Sequence, residues 1–220
     1  TKNPVLFVEV YGRASKNKKK TISKAELELL VSSLIDPRRR KADSFEYYSY
    51  AIALYIGYYC GLRISETLAL EKEDVDFESN LISVSKRLES KDIRRGLYVT
   101  SQLKTECSRA CIPMCEPLKE ILKEWFDYNK HDLICCKKNG DYIRYEKLDR
   151  VINKIANEYG FKFSSHMLRH TFSTNLLKHN VSPKTASELA RHAQVSTTLD
   201  IYVHPENAEK QKAIRNTFKN

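Results

Sequence analysis

The chain has 220 residues, with 38 Lys+Arg against 28 Asp+Glu and a formal net charge of +10. That length can bury one sizeable core, which argues for a single large domain. The positive surplus fits a polyanionic partner, because lysines and arginines on phosphates displace its counterions. No apolar run approaches the length of a membrane-spanning helix and no signal peptide opens the chain. A soluble, cytoplasmic protein without membrane association is expected.

The first residues are polar and basic, running through Ser15-Lys16-Asn17-Lys18-Lys19-Lys20, and 1–20 reads as a linker entering a domain. Ser23-Lys24-Ala25-Glu26 is a capping box, and Leu27, Leu30, Val31 and Leu34 follow at helical spacing until Asp36-Pro37 ends the run. A second helix is predicted from Ser44 to Cys60, apolar on most faces and therefore central, with Gly61 placed to stop it. Arg63 then lies between two helix ends, since Ser65-Glu66 opens another short helix, and such a position leaves a side chain little freedom.

The middle of the chain changes period. Val75-Asp76-Phe77, Leu81 to Val84, Gly96 to Val99 and Ala110 to Pro113 read as short strands of a small antiparallel sheet, with a turn at Glu78-Ser79-Asn80. Lys86 to Arg95 is charge-rich and is expected to be an exposed excursion between strands. Helical pattern resumes at Glu116 through Trp125, from Tyr145 to Tyr159, and from His166 to Lys178, and Ser182-Pro183 starts one more helix. Residues 205–220 form a polar, charged tail. The fold class read from this pattern is mainly α with a small antiparallel β-sheet.

Six cysteines raise the question of a disulfide or zinc site. Cys107, Cys111 and Cys115 are evenly spaced and Cys135-Cys136 are adjacent, but no Cys-x-x-Cys pair occurs. Free thiols are expected, with no metal and no cofactor.

Chemistry concentrates elsewhere. His166, Arg169 and His170 stand at i, i+3 and i+4 of one helix. A zinc pair would want the glutamate of His-Glu-x-x-His, which is missing, so His170 reads as a structural hydrogen-bonder behind the site. Arg63, Arg169, His192 and Tyr202 then make a set suited to a phosphodiester. Arginine presents a permanent charge and a planar fork of donors, histidine holds or passes a proton, and tyrosine supplies an oxygen nucleophile.

Four motifs, Gly61-Leu62-Arg63-Ile64-Ser65-Glu66, Lys104-Thr105-x-x-Ser108-Arg109-x-x-Ile112-Pro113, His166-x-x-Arg169-His170-Thr171-Phe172 and His192-x9-Tyr202, together resemble those of the tyrosine recombinases, the phage-integrase family. The resemblance runs from about Thr21 to His204. It implies the DNA breaking-rejoining fold over 21–204, with Tyr202 as nucleophile forming a 3′-phosphotyrosyl link. It further implies Arg63 and Arg169 on the non-bridging oxygens, His192 bonded to the same phosphate, Lys104 as general acid and His166 as proton acceptor. Glu66 matches an acidic position that supports the first arginine. Neither ATP nor metal is implied, because the covalent link conserves the bond energy. One departure stands out: the family usually has glycine before the second histidine, where this chain has Arg191, a side chain that could crowd the backbone or reach DNA.

The long basic stretch Lys86 to Gln102 before Lys104 resembles integrases of phages and conjugative transposons more than chromosome-dimer resolvases. Such enzymes act on double-stranded DNA as tetramers on paired sites. They carry an upstream core-binding domain, which fits the linker-like 1–20, and pass a tail like 205–220 to a neighbouring protomer. A type IB topoisomerase shares the chemistry. From another class, a non-catalytic helix-turn-helix module fits Ser182 to Thr198, but it has no need of the six site residues together.

Overall fold

The computed structural model describes residues 21–39, 44–92, 96–100 and 110–192. The expected linker at 1–20 and tail at 205–220 lie outside the described residues.

Helix α1 (Lys24–Ile35) opens with the capping box its sequence encodes: Ser23 Oγ accepts from Glu26 N, and Glu26 returns a carboxylate oxygen to Ser23 N at 2.7 Å. Leu27, Leu30, Val31 and Leu34 form its buried face. Just before it, Ile22 N donates to Thr171 Oγ1 at 2.9 Å, which ties the start of the domain to a much later helix. Helix α2 (Ser44–Cys60) is the central element, buried from Ser49 through Leu54 and again at Ile56, Gly57 and Cys60. Gly61 takes a left-handed φ of 62°, which stops the helix at little steric cost. The short helix α3 (Ile64–Thr67) follows at once.

The strands make two units among the described residues. β1 (Val75–Asp76), β2 (Leu81–Val84) and β5 (Ala110–Pro113) form an antiparallel sheet in the order β1-β2-β5, with Ile82 facing Val75 on one side and Ile112 on the other. Alternation buries Ile82 and Val84 and exposes Ser83. β3 (Arg87–Asp92) and β4 (Gly96–Thr100) form a separate antiparallel ribbon, irregular between Ser90 and Asp92. The expected exposed excursion at Lys86 to Arg95 is therefore corrected over most of its length. Leu88 is buried, Tyr98 Oη donates across the ribbon to Glu89 at 2.6 Å, and Lys86 is ion-paired to Glu71 and Asp74. Cross-strand pairing of this kind holds a charged ribbon together without a continuous apolar face.

Helices α4 (Glu116–Tyr128), α5 (Tyr145–Glu158), α6 (Ser165–Lys178) and α7 (Pro183–Ala190) complete the chain order. The connection after α4 is fastened by Trp125 Nε1 on Ile134 O at 2.8 Å and Asn129 Nδ2 on Leu133 O at 2.8 Å. Helices α2 and α6 cross closely because glycine lets them: a Cβ on Gly57 would stand 2.7 Å from Leu168 Cδ1, and one on Gly61 would stand 2.4 Å from Phe172 Cδ1. This contact sets the α3 corner against the face of α6 that carries Arg169. Among the described residues, no helix is long and apolar enough to cross a membrane.

Candidate active site

Three corners of the fold converge: the turn from α2 into α3, the first turns of α6, and the C-terminal end of α7. The α2–α3 turn supplies Arg63 and Glu66. Glu66 is buried at the third position of α3, and its carboxylate reaches back to the helix start. Oε2 accepts from Arg63 N and Oε1 from Arg63 Nη1, both at 2.9 Å. An acid in the first helical turn also suits the positive end of the helix dipole. Arg63 thus leaves the turn with its guanidinium anchored on one side, while 37% of its side chain stays exposed.

Arg169 comes from α6 and is 3% exposed. Its fork is held by two main-chain carbonyls: Nη1 donates to Gly61 O at 2.8 Å and Nη2 to Arg191 O at 3.1 Å. Burial, then the nearby charges of Arg63 and Arg191, push its pKa down to about 9, with Glu66 opposing. It remains protonated at neutral pH.

At the end of α7 the chain turns through Arg191 in the left-handed region, φ 53° and ψ 47°. That conformation normally falls to glycine, since a Cβ there crowds the following carbonyl. The sequence had left open whether this side chain crowds the backbone or reaches DNA. It turns inward, and its Nη2 pairs with Glu66 Oε2 at 2.8 Å, the two side chains 1% and 2% exposed. Burial alone would raise the Glu66 carboxyl, but Arg191 and the bonds from Arg63 outweigh it and hold the pKa below its ordinary value.

The histidines complete the set. His192 is half-buried beside this corner, its main-chain N–H donating to Ser187 O at 3.0 Å. Burial first, then Arg169 and Arg63, with smaller effects from His170 and His166, push its pKa down to about 4. His192 is therefore neutral near pH 7 and can donate or accept a hydrogen bond there. His166 is exposed on α6, and its ring meets that of buried His170 edge to face, centroids 5.1 Å apart.

Five of the seven site residues expected from sequence, Arg63, Glu66, His166, Arg169 and His192, belong to these three corners. Lys104 and Tyr202 lie outside the described residues. The residue whose part was missed is Arg191. Its only signal in the sequence is a cation where glycine is usual, ahead of a histidine and in a chain with one acid beside the first arginine. Three guanidinium groups against one carboxylate leave the cluster with a net charge of +2. With two carbonyls behind Arg169 and Arg63 partly exposed, it can hold a tetrahedral oxyanion by planar, charge-assisted donors.

The architecture is that of tyrosine recombinase catalytic domains. A solved Tn1549 transposon integrase in complex with transposon right end DNA superposes with a TM-score of 0.77 at 22% identity, covering 93% of this chain and 68% of that one. XerA recombinase superposes with a TM-score of 0.63 at 18% identity, covering 91% and 64%. The family model described as the phage integrase family matches residues 10–209, and the chain belongs to that family. Among curated relatives, transposase A from transposon Tn554 of Staphylococcus aureus is 28% identical over 203 residues, which are 88% of this chain and 53% of that protein. The transposase from Tn916 of Enterococcus faecalis is 30% identical over 161 residues, 66% of this chain and 39% of that protein. The chain spans about half the length of the first of these relatives, and less of the second.

Proposed function

We propose that this chain is the strand-cleaving domain of a site-specific recombinase that integrates or excises a mobile element. The observation that carries the reading is the buried, net-positive cluster in which Arg63 and Arg169 are fixed by Glu66 and by two carbonyls. A phosphodiester gains negative charge on its non-bridging oxygens when attacked. Donors already oriented for that charge stabilise the transition state without reorganising. Family membership and relatives named as transposases support the assignment to mobile elements.

In this reading Tyr202 Oη attacks phosphorus, its proton passing to His166, and the bond from phosphorus to the 5′-oxygen breaks. Lys104 protonates the departing 5′-oxygen, leaving a 3′-phosphotyrosyl link and a free 5′-hydroxyl. A 5′-hydroxyl from a partner strand then attacks the link, and the steps run in reverse. His192, neutral at working pH, donates a hydrogen bond to the phosphate without adding charge. Tyrosine ordinarily titrates near pH 10, so the adjacent cations and the base are what make its oxygen reactive at pH 7. The substrate is double-stranded DNA, and recombination between two sites calls for a tetramer of the intact protein. Residues 1–20 would link the domain to an upstream DNA clamp, and 205–220 would serve contacts between protomers.

The test is a nicked suicide duplex whose 5′-hydroxyl fragment diffuses away after cleavage. Incubated with the intact protein and EDTA, it should yield a protein–DNA adduct that survives denaturing electrophoresis. DNA binding with no adduct would leave a binding module in place of a recombinase.

A further inference from the structure

We infer that Arg191 is a positioning residue for the phosphate-binding cluster, fixing Arg169 through its main chain and Arg63 through Glu66. The inference rests on the strand-cleavage reading above. A helix that ends in the left-handed conformation ordinarily does so on glycine, and any other residue there carries a steric cost. Here the residue is an arginine, and it is buried as well. The ion pair from Arg191 Nη2 to Glu66 Oε2 at 2.8 Å offsets part of these costs.

That contact completes a linkage between elements far apart in sequence. Glu66 Oε2 takes both Arg63 N and Arg191 Nη2, so the carboxylate is gripped from the α3 side and the α7 side. Its rotation being fixed, Oε1 stays aimed at Arg63 Nη1. The carbonyl of Arg191 meanwhile accepts Arg169 Nη2, opposite the bond from Nη1 to Gly61 O. The next residue in the chain is His192. A single position therefore bears on both arginines that would meet the phosphate and on the histidine beside them. Arg191 itself is 2% exposed, so it acts through these neighbours.

The experiment measures single-turnover cleavage by the intact recombinase on two suicide substrates. One carries an ordinary scissile phosphate and the other a methylphosphonate, which lacks a charged non-bridging oxygen. Glycine suits the backbone of this turn, so Arg191→Gly keeps the helix end and the carbonyl that meets Arg169 but removes the buried side chain that grips Glu66. Small misplacements of reacting groups cost up to about 100-fold in rate, and a loss of about 10- to 100-fold is expected on the ordinary substrate. On methylphosphonate the loss should shrink to about threefold or less, because arginine placement matters less where less charge develops. Arg191→Lys keeps the charge but not the fork, and should show the same substrate-dependent defect in smaller degree. It also carries the test if the glycine variant fails to fold. Wild-type rates in both variants, or equal losses on both substrates, would overturn the positioning role. No adduct with the wild-type protein would remove the cleavage reading itself, and this inference with it.

Discussion

Replacing Glu66 by glutamine removes one charge and almost no volume, so it isolates the electrostatic anchor of the site. In the wild type the carboxylate accepts three donors, Arg63 N, Arg63 Nη1 and Arg191 Nη2. An amide offers one oxygen and one NH2 group, so at least one of those donors would face another donor. Arg63 and Arg191 would also lose the carboxylate that their ion pairs share. Breaking a buried ion pair by removing one partner typically costs about 3–5 kcal/mol, and Glu66 and Arg191 are buried enough for that range to apply. Against a whole-domain stability of about 5–15 kcal/mol, Glu66→Gln should lower the thermal midpoint by roughly 10 °C. The pH dependence supplies a second reading. The folded pKa of Glu66 is depressed, so its stabilisation is complete above its ordinary pKa near 4.5 and fades as pH falls through the folded value. Urea titrations of both proteins from pH 7 to pH 3 should show a gap that is constant near neutrality and narrows in acid. A gap under about 1 kcal/mol at pH 7, far below the buried-pair range, would refute the anchor. So would one that stays constant down to pH 3.

Gly61→Ala places a Cβ 2.4 Å from the Phe172 ring at a residue with φ 62°, and should destabilise the domain by about 2–4 kcal/mol in urea melts. A loss under about 0.5 kcal/mol, the range of an ordinary surface change, would contradict the described α2–α6 contact. His192 is depressed to about 4 from its ordinary 6.5, so as pH falls it takes up its proton in the unfolded chain first. Its share of stability is therefore full above about pH 6.5 and is lost as pH falls toward 4. His192→Gln should flatten the fall of thermal midpoint between pH 7 and pH 4.5, and parallel curves for the two proteins would exclude the shift.

The placement of the first arginine was readable because its signal is local: Gly61 stops a helix and Arg63 follows it. The part of Glu66 came from the resemblance to the phage-integrase family, not from spacing. Arg169 and the two histidines on α6 share a face by helical spacing alone. Arg191 was harder, because its meaning depends on which way a left-handed corner aims its side chain. That direction is set by Glu66, which lies 125 positions earlier. The ribbon was misread for a related reason. Arg87 to Asp92 is charged and carries one buried apolar residue, Leu88, so no alternation distinguishes it from a loop. Its strand character comes from pairing with Gly96 to Thr100, a property of two segments together.

The most direct measurement of the central claim is identification of the amino acid joined to DNA. The intact protein would be trapped on the nicked suicide duplex in EDTA, digested with nuclease and protease, and the phosphorylated peptide sequenced by mass spectrometry. The account predicts the phosphate on Tyr202, with Tyr202→Phe still binding DNA and forming no adduct. An adduct on another residue, or one that persists in Tyr202→Phe, would contradict it.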